Sequence, residues 1–257
     1  FGRQKLLRSG LFSFVIVSLL PILLPNIGVL LLVRFFQGIA LSMVIVASRT
    51  IFTDILPAEK LVAQGALLAA MWGLGPVIGP VIGGYLQFYL GWKACFYFFV
   101  ITALPVFILV FLIVPETHFN RHPLSIKTIK NNLAEVFTHG EFIAISAFMG
   151  LTYSLIISFH TSAPFLIQNK FHYSSVFFGH LALYLGVAYL IATFICRYLL
   201  KKFVFDQLIS KLIIIFMIIS VVAVGLSYIF ATSMVLLIIT SALMFFACGL
   251  IYPLSMG

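Results

Sequence analysis

KACFYFFVITALPVFILVFLIV, residues 93–114, is an apolar run whose single charge, Lys93, stands at its first position. A helix needs about 20 mostly apolar residues to cross the hydrocarbon core of a bilayer. Only helices and closed barrels satisfy their backbone groups there, and an uninterrupted run lacks the alternation of a barrel strand. This stretch therefore predicts a transmembrane helix.

Further apolar runs of similar length precede and follow it. They lie at residues 9–25, 28–51, 63–86, 141–166, 175–199, 208–229 and 233–256. Of the 257 residues, 63% are hydrophobic and only 8% are charged, whereas a soluble domain carries about 25% charged residues. The predicted fold class is all-α, a polytopic helical membrane protein with eight spans.

The basic residues give the predicted orientation. The net charge of +9 is scattered between the apolar runs, which indicates loop charge rather than a phosphate-binding stripe, so no nucleic-acid partner is predicted. With the amino terminus in the cytoplasm, only Lys93 and Lys170 fall outside and Arg34 lies within a span. The cytoplasmic set is Arg3, Lys5, Arg8, Arg49, Lys60, Arg121, Lys127, Lys130, Arg197, Lys201, Lys202 and Lys211. This bias predicts an integral protein of the cell membrane, the bacterial inner membrane, in contact with the lipid bilayer.

One polar connection divides the spans into four and four. Residues 115–140 form a central cytoplasmic loop between an amino-terminal half, 1–114, and a carboxyl-terminal half, 141–257. Equal halves are typical of transporters built from two repeats. Apolar residues at helical spacing predict a short interfacial helix around residues 125–137 of the loop.

The third span carries an unusual glycine and proline pattern. Gly75, Gly79 and Gly83 recur every four residues, so they share one helix face, on which another backbone is expected to approach closely. Pro76 and Pro80 each remove an amide donor and are expected to bend the helix. Two interpretations stay open, a helix-packing face and a device that controls which side of the membrane is open.

These strings carry a resemblance to a known family. Residues 75–84, GPVIGPVIGG, resemble the antiporter signature of drug exporters of the major facilitator superfamily, in a motif that also includes Gly84. RFFQG at 34–38, RTIFTD at 49–54 and GRQK at 2–5 are similar to further signatures of that superfamily. SAPF at 162–165 and the pair Phe178-Gly179 are similar to the bicyclomycin-resistance (Bcr/CflA-type) group.

The resemblance implies a major facilitator fold in which the eight spans are helices three to ten of twelve. Both ends of the sequence fall beside or inside apolar runs, so we expect a piece of a longer protein. In this family the first, fourth, seventh and tenth helices line the central cavity. The implied activity is proton-coupled antiport of small amphipathic drug-like molecules by a monomer.

Arg34 and Gln37 are the residues to which the resemblance assigns proton coupling. A cation inside a span is costly and normally pairs or serves a pathway, although snorkelling to the headgroups is the alternative. The proton-carrying acid is not visible, since the six acidic residues fall at loops or span ends. Arg49 and Asp54 are candidates for a cytoplasmic gate, or else form a solvated pair of little energetic consequence.

Polar residues of the two cavity-lining spans in the carboxyl-terminal half are the predicted substrate contacts. They are Tyr153, Ser158, His160, Thr161, Ser162, Thr240, Ser241 and Tyr252. A lone histidine in a span is more often a hydrogen-bonded structural residue than a proton relay. Cys95, Cys196 and Cys248 lack metal-ligand spacing, so no metal or cofactor is predicted.

Other classes of function remain as alternatives. An integral-membrane enzyme needs clustered catalytic groups near one membrane face, and the loop histidines His118, His122 and His139 flank no acidic cluster, so we do not expect an enzyme. A channel needs a ring of charge or a carbonyl filter, and neither pattern is present. Among transporters, a siderophore or metabolite exporter and a transport-incompetent fragment stay open beside a drug exporter.

Overall fold

A computed structural model of the chain describes residues 2–117, 126–200, 202–203, 205–229 and 233–251. All regular elements in these ranges are helical, which confirms the predicted fold class. The helices are α1 (Arg3–Leu23), α2 (Ile27–Ile55), α3 (Ala58–Leu90), α4 (Lys93–Ile113), α5 (Ile126–Thr138), α6 (Gly140–Phe165), α7 (Ser175–Leu200), α8 (Phe205–Ile229) and α9 (Met234–Ile251). A π-helical turn, Leu166–Lys170, extends α6.

Eight of these helices coincide with the eight predicted spans, and α5 is the predicted helix of the central loop. In the described residues, six helical segments are long and apolar enough to cross a membrane, namely α1, α2, α4, α6 with its π-helical turn, α7 and α9. Shorter apolar helical stretches lie in α3, at Leu74–Leu90, and in α8, at Lys211–Leu226. The first helix begins six residues before the predicted start, at Arg3, because helix formation continues beyond the apolar run.

Local signals explain two of the sharper helix ends. Asn26 precedes α2, and its side-chain oxygen accepts a hydrogen bond from the Gly28 amide at 2.8 Å, which satisfies an otherwise unpaired donor. Gly91 follows α3 with φ +81°, a left-handed conformation that glycine adopts without steric cost. The connections from α1 to α2 and from α3 to α4 are therefore tight.

The chain packs as two compact units. The first comprises Phe1–Met71 and Leu86–Pro123, and the second Trp72–Tyr85 and Leu124–Gly257. In the first unit α1 packs against α2 and α4 around Leu7, Leu11 and Ala47. In the second unit α9 packs against α7 and α8, and the core includes Leu185 and Phe245.

The third helix contributes to both units. α3 runs without a break from Ala58 to Leu90, through Pro76 and Pro80, yet its segment Trp72–Tyr85 belongs to the second unit. The predicted division into residues 1–114, 115–140 and 141–257 follows the order of the chain and stays a prediction. The packing units do not follow that order, because of α3.

Candidate functional site

A close backbone contact in the second unit joins α3 to α7. Gly84 leaves no room for a side chain, because a Cβ atom there would lie 2.5 Å from the carbonyl oxygen of Ser175. The Ser175 hydroxyl donates a hydrogen bond to the Gly84 carbonyl oxygen at 2.9 Å. Four residues further along α7, a Cβ on Gly179 would lie 2.8 Å from the Pro80 carbonyl oxygen. Small residues on both helices thus permit backbone-to-backbone contact.

The predicted packing face of Gly75, Gly79 and Gly83 does not make the contact with α7 in the described structure, and its role stays a prediction. Added Cβ atoms at Gly75, Gly79 and Gly83 would meet nothing within 4 Å in the described structure. The contact face instead runs through Val77, Pro80 and Gly84, and Val77 is only 6% exposed. A spacing of four residues shows which glycines share a helix face, but the position of the neighbouring helix decides which face makes the contact. Pro76 and Pro80 are half-buried beside it.

A side-chain pair closes the same contact at the carboxyl end of α3. The Tyr85 hydroxyl oxygen and His180 Nε2 are 3.0 Å apart, and the two rings meet edge to face with centroids 5.6 Å apart. Sequence analysis missed this pair, since Tyr85 and His180 are separated by 95 positions. The α3–α7 contact therefore combines glycine packing with two side-chain hydrogen bonds.

Arg34 begins a hydrogen-bonded chain between α2 and α1. Its Nη1 donates to Oε1 of Gln37 at 3.2 Å, and Gln37 Nε2 donates to the Ser18 hydroxyl at 2.8 Å. Ser18 in turn donates to the Phe14 carbonyl oxygen at 2.6 Å. Gln37 is 4% exposed and Ser18 is fully buried, so the chain is anchored inside the first unit.

The guanidinium of Arg34 also contacts aromatic rings of α4. Its central carbon lies 5.1 Å from the centroid of Phe96 and 5.9 Å from that of Phe99, within cation–π range. The arginine itself is exposed. No carboxylate of the described residues forms an ion pair with it, in agreement with the position of the six acidic residues at loops or span ends.

A polar cluster joins the amino end of α1 to the carboxyl end of α2. Arg3 Nη1 and Asp54 Oδ2 form an ion pair at 2.7 Å, and the Thr117 hydroxyl donates to the same oxygen at 2.8 Å. The Arg3 amide donates to Glu116 at 2.9 Å. The predicted partner of Asp54, Arg49, lies exposed one turn earlier on α2. Arg3 was not predicted as a partner of Asp54, although it stands in the string GRQK.

A cavity of about 270 Å³ lies within the second unit, between α6, α8 and α9. Two predicted substrate contacts, Thr240 and Ser241, are brought together in its wall and are 4% and 7% exposed. Phe159 of α6 and Phe245 of α9 form part of the same wall, with ring centroids 5.3 Å apart. The contribution of α8, through Ala223 and Val224, was not predicted.

The other predicted substrate contacts do not line this cavity. Thr161 and Ser162 are exposed and donate hydrogen bonds to carbonyl oxygens of their own helix, at 2.8 and 2.7 Å. Ser158 and Tyr153 are also exposed. Tyr252 lies outside the described residues. Serine and threonine in apolar helices commonly satisfy themselves in this local manner.

His160 lies behind the cavity wall in an aromatic setting. Its ring makes edge-to-face contacts with Phe159, Phe178 and Phe245 at centroid distances of 5.7, 6.3 and 5.8 Å. Its buried Nε2 has no hydrogen-bond partner in the described structure. The packing of His160 among aromatic rings supports a structural role, and its role as a substrate contact stays a prediction.

Long apolar helices joined by close helix contacts define the class of a polytopic helical membrane protein. The comparisons with known proteins give the family. The chain belongs to the Major Facilitator Superfamily, whose sequence profile matches residues 1–257.

Similar proteins include transporters and resistance proteins. An uncharacterized transporter of Rickettsia felis is 30% identical over 206 residues, which are 79% of this chain and 50% of that protein. The bicyclomycin resistance protein homolog of Haemophilus influenzae is 26% identical over 63% of this chain and 41% of its own length. The multidrug resistance protein MdtL of Shewanella oneidensis is 25% identical over 79% and 51%. The chain thus spans about half the length of these relatives, and its resemblance to Bcr/CflA-type exporters is confirmed.

Proposed function

We propose that the complete protein exports small amphipathic molecules across the membrane in exchange for protons, by alternating access. The observation that carries the proposal is the apolar cavity with Thr240 and Ser241 in its wall, in a chain of the Major Facilitator Superfamily. An apolar pocket with few polar groups suits an amphipathic substrate. Relatives named for bicyclomycin and multidrug resistance support the same class of substrate.

Proton coupling is assigned to Arg34 and Gln37. A guanidinium held by Gln37 and by the faces of Phe96 and Phe99 is a fixed positive charge inside a span. Such a charge favours the ionised form of any nearby carboxylate and so sets when that carboxylate takes up and releases a proton. The carboxylate is expected on a helix of the full-length protein outside this sequence.

Two contacts are assigned to the control of access. Substrate is expected to reach the cavity when helices separate at one end while they stay closed at the other. The Arg3–Asp54 pair, with Arg49 nearby on α2, is proposed as part of the cytoplasmic gate. The α3–α7 contact at Gly84 and Ser175 is proposed to close the opposite end. We expect the transport unit to be a monomer.

The proposed orientation places the loop that contains α5 in the cytoplasm of a bacterial cell and the segment between α6 and α7 outside. Single cysteines at Lys130 and Lys202 are expected to resist a membrane-impermeant thiol reagent in intact cells and to react in inverted vesicles. A cysteine at Lys170 is expected to show the opposite pattern. The background is a variant in which Cys95, Cys196 and Cys248 are replaced. Labelling of the Lys130 position in intact cells would contradict the orientation.

Transport is tested with the complete protein in liposomes. With an acidic interior, outward proton flow is expected to drive accumulation of an amphipathic drug, and a protonophore should abolish it. Protein-free liposomes with the same gradient serve as the control. Accumulation that survives the protonophore would contradict antiport. Accumulation of a siderophore or a polar metabolite in place of the drug would assign the transporter to one of the two alternative substrate classes.

A further inference from the structure

We propose that the cavity between α6, α8 and α9 binds uncharged molecules that combine an aromatic or branched apolar body with one hydrogen-bonding group. The inference rests on the proposed function for its biological use, because it names the class of substrate that the exporter accepts. Binding itself is a separate property that is measured without transport.

The size of the cavity sets the size of the ligand. Small-molecule sites usually enclose roughly 300–1,000 Å³, and this cavity, at about 270 Å³, lies just below that range. It therefore accommodates one compact ligand, or one end of a larger ligand. A long, flexible lipid chain does not match a space of this size.

The wall excludes charge. Among the described residues, no charged side chain lines the cavity, and most lining residues are aliphatic or aromatic, including Leu155, Val224 and Met244. Transfer of a charged group into such a space is very costly unless an opposite charge pairs with it. A permanently charged ligand finds no such partner in the described wall, whereas an uncharged one needs none.

Of the two hydroxyl groups in the described wall, only that of Ser241 can both donate a hydrogen bond to the ligand and accept one from it. Thr240 donates its hydroxyl to the carbonyl oxygens of Leu236 and Leu237, at 2.9 and 3.2 Å, so its hydrogen is already used. Ser241, next to it, makes no hydrogen bond to another described residue and is 7% exposed. A serine hydroxyl in an apolar cavity is stabilised by a hydrogen-bonding ligand. Ser241 therefore forms the hydrogen bond that orients the polar end of the ligand.

The aromatic wall favours a flat body. Phe159 and Phe245 meet at 80° between ring planes, so one presents its face where the other presents its edge. An aromatic ligand makes additional favourable contacts with such a pair beyond the area that it buries. Phe178 stacks behind Phe159 at a centroid distance of 6.3 Å, which holds that wall in place.

The experiment compares two probes of the same shape. tert-Butylbiphenylol and its trimethylammonium isostere have the same hydroxyl group and the same shape. They differ at one atom, which is a neutral carbon in the tert-butyl group and a positively charged nitrogen in the trimethylammonium group. Equilibrium dialysis against the complete protein in detergent, corrected with protein-free detergent, is expected to show saturable binding of the neutral probe. The charged isostere is expected to bind at least about tenfold more weakly. Equal or tighter binding of the charged isostere would overturn the proposal.

Variants locate the site. Ser241→Ala is expected to weaken binding of the neutral probe about fivefold, the loss of one hydrogen bond. The matched control is Ser154→Ala on α6, an exposed serine outside the cavity that donates to the Leu151 carbonyl oxygen, which should leave binding unchanged. Equal effects of the two substitutions would reject Ser241 as the ligand partner.

A charge placed in the wall reverses the preference. Ser241→Asp supplies a partner for a cation. The charged isostere is expected to enter that variant in the reversed orientation, with its trimethylammonium group beside position 241, and to bind more tightly than the neutral probe. If a well-folded Ser241→Asp variant does not bind the charged isostere more tightly than the wild type does, the cavity is not the binding site. If the neutral probe binds as expected but no substrate is transported, the proposed function fails and this inference stands. If transport is found but the charged isostere binds more tightly than the neutral probe, the proposed function stands and this inference fails.

Discussion

Replacement of Arg34 by Ala in the complete protein is expected to abolish proton-driven export while leaving substrate exchange intact. The variant loses the cation that Gln37 and the rings of Phe96 and Phe99 hold in place. A nearby carboxylate then has no positive charge to favour its ionised form. Accumulation against a gradient should fall to the level of protein-free liposomes. Exchange of labelled for unlabelled substrate without a gradient should continue, because it requires no net proton movement.

Two further variants separate coupling from structure. Arg34→Lys keeps the charge but loses the planar fork that reaches Gln37, so accumulation should be reduced but not absent. Lys93→Ala removes a cation from the end of α4, where Lys93 Nζ donates to the Ile22 carbonyl oxygen, and should leave coupling unchanged. Normal accumulation by Arg34→Ala, with unchanged pH dependence, would show that Arg34 is a structural anchor.

The second large effect is expected from a single methyl group at Gly84. A Cβ there would lie 2.5 Å from the Ser175 carbonyl oxygen, so backbone must shift to admit it. Overpacking of this kind costs about 1–3 kcal/mol, more than the roughly 1 kcal/mol that alanine gains over glycine in a helix. Gly84→Ala should therefore lower the unfolding temperature in detergent and reduce export.

Gly83→Ala is the matched control on the next residue of the same helix. Its Cβ would meet nothing within 4 Å, so the helix preference of alanine is not opposed by a clash. Its unfolding temperature should equal or exceed that of the wild type. Gly179→Ala should repeat the loss, because its Cβ would lie 2.8 Å from the Pro80 carbonyl oxygen. The reverse ranking of Gly83→Ala and Gly84→Ala would show that the α3–α7 contact is not formed in the protein.

Hydropathy predicts the helices well because each span is a local property of the sequence. The stretch at 93–114 becomes α4 (Lys93–Ile113), and residues 175–199 become α7 (Ser175–Leu200). The bilayer imposes both length and composition, so a run of apolar residues leaves few alternatives. The ends of α1 and α3 extend beyond the apolar runs, since polar residues continue a helix outside the hydrocarbon core.

Contacts between distant segments could not be predicted in the same way. Periodicity placed Gly75, Gly79 and Gly83 on one face, but only the position of α7 shows that Gly84 makes the contact. Asp54 forms an ion pair with Arg3, which stands on another helix. These pairings depend on how the helices pack against one another, and helix packing cannot be deduced from the periodicity of a single sequence.

The residues of the candidate site could be predicted only in part from the sequence. Thr240 and Ser241 were predicted because they are polar residues of a span that the family resemblance makes cavity-lining, and both lie in the cavity wall. Thr161 and Ser162 satisfied the same criterion but donate to their own helix backbone instead. Hydroxyl groups in a span therefore identify candidates, and helix packing decides which of them a ligand can reach.

The division of α3 between two packing units has a consequence for biogenesis. Gly84 and its partner Ser175 are 91 residues apart in the chain. At a synthesis rate of about 5–20 residues per second, the ribosome takes about 5–20 s to produce the second after the first. During that interval the face formed by Val77, Pro80 and Gly84 lacks its partner helix α7. The α3–α7 contact therefore cannot form in the period of translation when α3 has been made but α7 does not yet exist.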